Sequence, residues 1–563
     1  MERNVSVTVE EQRHPRAFEP GVLVMNVILS VVGAIIGLQI LTTLGVTPNT
    51  AIIGVLVAIA VSRVPLGAFA RFRSVHRQNL VQSNISSATF GAANSLLLPI
   101  GIPVLMGRPD LVWPMLIGAT MGMLIDLAML YWLFDSRVFP GRNAWPPGVA
   151  AAEAIIAGDQ GGRRARLLVY GTVLGIIGSY FKISMSAFGV AFIGNIYALA
   201  MFGVGLLLRG YSRALFGLDI NTLYVPHGMM IGAGLVAMIQ VIVILARRRE
   251  GAPGTGPEHG RGPVPVGQEG VGVTAGGGPS RAAEGGPEQL TRSEADVTRG
   301  LVRGLLLYLA AALILALTGG LAGQMSAGRL VLWVVFAAVA CVVAEFIVGL
   351  SAMHAGWFPA FATALIFLVL GMLMGFPAPA LGLLVGFVAS GGPAFADAGY
   401  DLKAGWMLRR GESRAFEMEG RWQQFLAGLL GLGVAWVMVL LFHNVYFSQN
   451  LFPPVDRVYA ATIKAGVDPG IVRNLLIWAV PGAIIQAIGG SDRQMGILLA
   501  TGLLILNPLA GWAVLAGILI RALLLRFYGR DIETPMTIMA AGFIAGDALF
   551  GFFNSVARAK WRI

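Results

Sequence analysis

The sequence predicts an all-α polytopic membrane protein built as two homologous helical repeats, with about 14–16 transmembrane or re-entrant segments. Three observations carry this. Charge is scarce, apolar runs of membrane-spanning length recur along the chain, and landmarks of the first half return in order in the second.

Only 12% of the 563 residues are charged and 56% are hydrophobic, and the mean hydropathy is +0.75. A soluble domain carries roughly 25% charged residues, so this chain is too poor in charge to solvate its surface with water. The runs Val22 to Leu41, Leu111 to Phe134, Leu330 to Val348 and Leu426 to Phe442 each approach the roughly 20 residues a helix needs to cross hydrocarbon. A transmembrane barrel would show short alternating segments instead. These runs are continuous, so helices are expected.

The net charge of +11 is placed at helix ends. It clusters at Arg71, Arg73 and Arg77; at Arg163, Arg164 and Arg166; at Arg247 to Arg249; and at Arg409, Arg410 and Arg414. That is a positive-inside pattern, whereas nucleic-acid binding would want a basic face on a soluble domain. Cys341 is the only cysteine, so no intrachain disulfide forms. The polar tail 1–19 lacks the basic start and short apolar core of a cleavable signal, and the first apolar segment is expected to be a retained span. The chain is read as a multi-pass protein of the inner (plasma) membrane, with the lipid bilayer as its main partner and no nucleic acid.

Residues 247–298 are rich in Gly, Pro, Glu and Arg and cannot bury a core, which makes them a flexible linker. Around it the halves repeat. Leu133-Phe134-Asp135-Ser136 returns as Leu441-Phe442-His443-Asn444, and Arg213-Ala214-Leu215 as Arg521-Ala522-Leu523, both at an offset of 308. Trp145-Pro146-Pro147 returns as Phe452-Pro453-Pro454, and Gly217-Leu218-Asp219-Ile220 as Gly529-Arg530-Asp531-Ile532. Such order maps residues 20–246 onto 328–554 and leaves a connecting helix at 299–318 and a tail at 555–563. Internal repeats are common in secondary transporters, whose sites lie where the repeats meet. The Gly- or Pro-broken segments 79–105, 213–233 and 377–400 are candidates for re-entrant helices. Parallel and inverted repeats both remain open at this level.

Two polar segments stand out. Gln78, Asn79, Gln82, Ser83 and Ser86 can share one helical face, either bonding neighbouring helices or forming a wet wall that pairs with peptide groups. Further on, Asp397 and Asp401 sit i, i+4 behind Gly391-Gly392-Pro393, a triplet expected to end a helix, and Lys403 is placed to neutralise one of them. Asn79-Leu80-Val81-Gln82-Ser83 and Asp401-Leu402-Lys403-Ala404-Gly405-Trp406 resemble the N-V-V-Q-(T/S) and D-L-K-T-G-(Y/W) patterns of the oligopeptide transporter (OPT/YSL) family. Leu80 for Val and Ala404 for Thr are mild departures. The resemblance implies a bacterial member that moves small peptides, peptide-like compounds or metal chelates, usually by proton coupling and alternating access. Its substrate would then contact Gln78, Asn79, Gln82, Asp397, Asp401 and Lys403.

Coupling through protons or another ion calls for ionisable groups inside spans. Asp126 and Glu345 suit that best, with His227 behind a proline break as a third candidate. The plainer reading pairs Lys182 with one of these acids. Asp547 lies in similarly apolar surroundings, while His354 and His443 read as loop residues. No His, Cys or carboxylate spacing matches a metal site, no Walker A or Gly-x-Ser-x-Gly motif is present, and no cofactor is expected. A membrane-embedded enzyme and a channel are the competing classes, and assembly into a homo-oligomer stays open.

Overall fold

The computed structural model describes residues 13–44, 55, 74–246, 290–466 and 469–558. Arg71, Arg73, Arg247 to Arg249, nearly all of the linker and the basic Lys560 and Arg562 lie outside the described residues.

The described chain is helical, and among the described residues its only β contact is one bridge between Phe134 and Phe139. Its first half holds α1 (Pro20–Leu44), α2 (Val75–Phe90), α3 (Leu98–Leu105), α4 (Val112–Leu133), α5 (Pro146–Gln160), α6 (Gly162–Tyr180), α7 (Met185–Ile193), α8 (Ile196–Phe216) and α9 (Val225–Ala246). Then come α10 (Glu294–Thr318), α11 (Ala327–Ala355), α12 (Ala360–Leu373), α13 (Ala378–Leu408), α14 (Arg414–Ser448) and α15 (Pro454–Ala465). The last four are α16 (Pro469–Arg493), α17 (Met495–Leu504), α18 (Pro508–Tyr528) and α19 (Glu533–Arg558). Among the described residues ten apolar stretches are long enough to cross a membrane and three shorter apolar helices accompany them. The polytopic all-α class follows. The four apolar runs of the sequence fall in α1, α4, α11 and α14.

Lipid is the fitting solvent for the outside of this bundle. Val24, Ile28, Trp113, Val169, Leu306, Val331, Leu441, Ile484 and Leu519 are all exposed, a cost in water that hydrocarbon removes. The connecting helix begins at Glu294 because Ser293 and Asp296 form a reciprocal capping box.

Several expectations about breaks do not hold. Residues 79–105 form one helical rod in which α2 and α3 join through a π-helical turn, Gly91–Leu97. Residues 377–400 lie almost entirely in α13, which runs unbroken through Gly391-Gly392-Pro393. Tertiary packing overrides the local breakers there. A side chain at Gly391 would strike the Asp126 carboxyl, and one at Gly392 would press on Val348 and Ala360. The glycines serve close approach, and neighbours on every side hold the helix together across the proline. The 213–233 segment is the end of α8, a turn and the start of α9. His354 and His443 are not in loops: they lie in α11 and α14.

Helices at corresponding places in the two halves exchange partners. α6 packs on α19 as α16 packs on α9, and α8 packs on α17 as α18 packs on α7. Likewise α2 packs on α14 as α13 packs on α4, and α5 on α13 as α15 on α3. The corresponding rods α2 and α13 touch and run antiparallel, since Gln82 meets Asp401 while Ser86 meets Asp397. Where α6 crosses α19, Gly171 lies on Gly542 and Gly175 on Gly546, backbone against backbone. This is the small-residue packing that lets helices associate without a hydrophobic drive.

That contact has no room for a side chain. Gly546→Leu is expected to force the two backbones apart and destabilise the fold by about 1–3 kcal/mol, read as a lower unfolding temperature of detergent-purified protein. Gly551→Leu, at an open position, should leave that temperature unchanged.

Candidate functional site

α2 is an unusual transmembrane helix, because every residue from Gln78 to Phe90 is buried although its sequence is largely polar. It is wedged between α1, α13 and α14, so its amides and hydroxyls must find protein partners. Gln82 Nε2 donates to Asp401 Oδ1, and Ser86 Oγ to Asp397 Oδ1. Asn79 Nδ2 donates to Gln82 Oε1 at 2.9 Å. From α14, Gln424 Nε2 donates to the Asp401 carbonyl at 2.7 Å and to Ser83 Oγ at 3.1 Å. Asp397 and Asp401 are thus held one turn apart on the buried face of α13, bonded by neutral groups and, among the described residues, in no ion pair with Lys or Arg.

Two narrow crevices, one between Ser87, Tyr131, Asp401, Gln424 and Gly428 and one beside Asp397, Gly91 and Leu432, reach this face. Neither has room for more than about one water molecule. The described conformation is closed around these acids. The π-helical turn of the α2–α3 rod lines the second crevice, and such turns recur at functional positions.

A second acid pair lies one step along the same helix. The Tyr308 hydroxyl of α10 meets both Asp126 Oδ1 of α4 and Glu345 Oε1 of α11. A phenol carries one hydrogen, so both contacts are hydrogen bonds only when one of the carboxyls is protonated and donates to the phenol oxygen. Asp126 abuts α13 at Gly391, about 9 Å along the helix axis from Asp397 at 1.5 Å per residue. Three buried carboxyls therefore line or abut α13, and a fourth, Glu345, is bridged to one of them through Tyr308.

The remaining expected residues fall elsewhere. Lys403 Nζ donates to the Gly141 carbonyl at 2.8 Å and sits 4.7 Å from the centroid of the Trp406 ring. Gln78 is buried at the start of α2. His227 is buried on α9 with its ring 5.5 Å from that of Tyr224, apart from both acid pairs. Lys182 does not pair with Asp126 or Glu345: it stands exposed in a left-handed turn after α6. Asp547 accepts from Ser179 Oγ and from the Ser186 amide. Tyr308 and Gln424 were not singled out from sequence. Tyr308 carries one polar atom in an apolar run, and only its position between two helices distant in sequence gives it a role.

The basic end of the bundle is a buried charge network. Arg409 and Arg421 have no side-chain exposure and both bond Glu417, at 2.6 and 2.9 Å, with Asp135 3.7 Å from Arg421. Gln424 Oε1 accepts from Arg409 at 2.9 Å and so joins this network to the Asp401 backbone. The segment before α1 lies over this end. The Ala17 amide donates to Gln423 Oε1 at 2.9 Å and Glu19 pairs with Arg77 at 3.0 Å. His14, His76 and Phe416 meet ring to ring at 5.0–5.2 Å. Burial, and then the neighbouring Arg409, push His14 down to about 3.

A family model described as OPT oligopeptide transporter protein matches the chain over residues 21–247 and 222–558. A search of curated proteins finds no significant match.

Two outcomes follow from the basic end. Glu417→Gln strands two buried guanidinium groups, and losing one partner of a buried pair costs roughly 3–5 kcal/mol, measurable as a fall in thermal stability. His14 docks as a neutral ring, so docking is favourable above its ordinary value of 6.5 and is lost progressively as pH falls from there toward about 3. Limited proteolysis of residues 13–19 should accelerate on acidification below 6.5 in the wild type and accelerate less steeply there in His14→Phe, where the buried His76 is left to titrate.

Proposed function

Because the chain belongs to the OPT oligopeptide transporter family, we propose that it is a proton-coupled secondary active transporter of small peptides or peptide-like compounds, metal chelates included, in a bacterial inner membrane. One observation carries this reading. Asp397, Asp401 and Asp126 lie on or against α13 and Glu345 is bridged to Asp126, all four with neutral hydrogen-bond partners among the described residues, where an intramembrane ionisable group marks a substrate or ion path.

Residues 20–246 and 328–554 act as inverted repeats. The antiparallel contact of α2 with α13 and the exchange of helix partners support a two-fold axis in the membrane plane, the arrangement that places substrate at the repeat interface. Gln82, Asn79, Asp397 and Asp401 form the substrate wall. The carboxylates receive the amino terminus and the amides pair with peptide groups, while Gln78 and Lys403 border this face. Asp126, Tyr308 and Glu345 form the coupling group and hold a shared proton. His227, set apart on α9, contributes to coupling only through the movement of its helix. Access alternates as the closed contact of α2 with α13 and α14 loosens from one end and then the other.

In proteoliposomes a panel of small peptides is expected to accumulate above the outside concentration only under an inward proton gradient, as read by mass spectrometry. Asp401→Ala should abolish uptake while leaving membrane insertion intact, whereas wild-type uptake by that variant removes the site assignment. Glu345→Gln should lower gradient-driven accumulation more than ten-fold, since the coupling group can no longer exchange its proton.

A further inference from the structure

A fifth acid lies outside both pairs. Asp456, on α15, is fully buried and neither carboxyl oxygen has a hydrogen-bond partner among the described residues. An acid at the third position of a helix ordinarily accepts from the amide of the capping residue. Here the cap is Pro453 and the first helical residue Pro454, and proline has no N–H to give. The sequence has removed the local donor.

Nothing packed around it replaces that donor. α15 rests on α3, where a side chain at Gly101 would collide with Asp456 Oδ2, and neither α3 nor α12 contains a charged residue. On α13, Asp397 and Asp401 bond Ser86 and Gln82, and Lys403 bonds Gly141. On α15 itself the Tyr459 hydroxyl donates to the Phe361 carbonyl at 2.7 Å. Arg457 donates to Asn450 and lies over the Phe452 ring, while Lys464 donates to the Leu105 carbonyl at 3.2 Å. Burial pushes the Asp456 carboxyl well above its ordinary range, and Arg457 offsets this only in part.

The corresponding junction in the first half has opposite chemistry. Asp456 is the third residue of α15, and the third residue of α5 is Gly148, which packs on α13 at the Tyr400 carbonyl and the Lys403 side chain. The α5–α13 junction thus holds a cation in contact with acceptors, and the α15–α3 junction an acid with none. A metal cation would need several oxygens to replace its hydration shell, and Gly101 and Phe452 bring no side-chain oxygen to this wall. The ligand that fits is a proton.

We propose that Asp456 is a proton-binding site gated by the α3–α15 junction, gaining and losing its proton only when α15 parts from Gly101. This rests on the proton-coupled reading above and adds a coupling site at the end of the bundle away from Arg409 and Arg421. α15 then serves as a gate whose closure requires a neutral carboxyl.

The test compares wild type and Asp456→Asn in proteoliposomes, using the best-transported tripeptide of the panel. Peptide counterflow, which needs no gradient, is expected to stay within about two-fold of wild type. Protons moved per peptide, read with an entrapped pH dye, should fall, and gradient-driven accumulation should be lost; Asp456→Glu should restore both. An unchanged proton-to-peptide ratio in Asp456→Asn overturns the proposal. So does failure of that variant to assemble, because a neutral carboxyl without a partner has no structural bond to lose. A wild-type protein that moves peptide without protons would instead overturn the proton-coupled reading itself.

Discussion

A carboxyl taken out of water must find a cation, a proton or enough donors, or the fold does not close over it. In this chain that constraint is concentrated on α13. Asp397 and Asp401 lie on its buried face and Asp126, bridged through Tyr308 to Glu345, presses on it at Gly391. The surrounding helices answer with neutral groups: Gln82 and Ser86 from α2, and Tyr308 from α10. At the basic end of the bundle the buried Arg409 and Arg421 are held by Glu417. Charge separation along one helix organises the interior.

Helix packing makes that arrangement affordable and leaves it able to move. The outer helices meet through glycine contacts such as Gly171 with Gly542, and Gly232 with Ala479, where backbones touch and few long side chains interlock. Around α2 and α13 the contacts are directional hydrogen bonds, which hold one geometry yet can be exchanged for bonds to water or to a peptide. The paired exchange of helices between the halves gives each closing contact a counterpart at the other end of the molecule. On the alternating-access reading proposed above, it has two ways to open.

Much of this was legible in the sequence. The scarcity of charge and the length of the apolar runs announced a polytopic helical protein, and the polar faces of Gln78 to Ser86 and of Asp397 to Asp401 announced the place where α2 and α13 meet. Other features were hidden. Gly391-Gly392-Pro393 reads locally as a helix stop, but its glycines answer to Asp126 and Val348 on other helices, and a breaker inside a fully packed helix is overruled by its neighbours. The pairing of Asp126 with Glu345 through Tyr308 joins three helices far apart in the chain, which no periodicity encodes. Lys182 looked buried because its flanks are apolar, yet a left-handed turn puts it outside. Asp456 was not singled out from sequence, and only the two prolines before it together with Gly101 opposite reveal its isolation.

The account turns on the claim that the face between α2 and α13, closed in this conformation, becomes wet from each side of the membrane in turn. The direct measurement is modification of a single cysteine, Ser86→Cys in a Cys341→Ala background, by a membrane-impermeant thiol reagent applied to one side or the other. Labelling from both sides, slowed by transported peptide, is the result expected. A cysteine that reacts from neither side, with or without peptide, while transport continues, would contradict it.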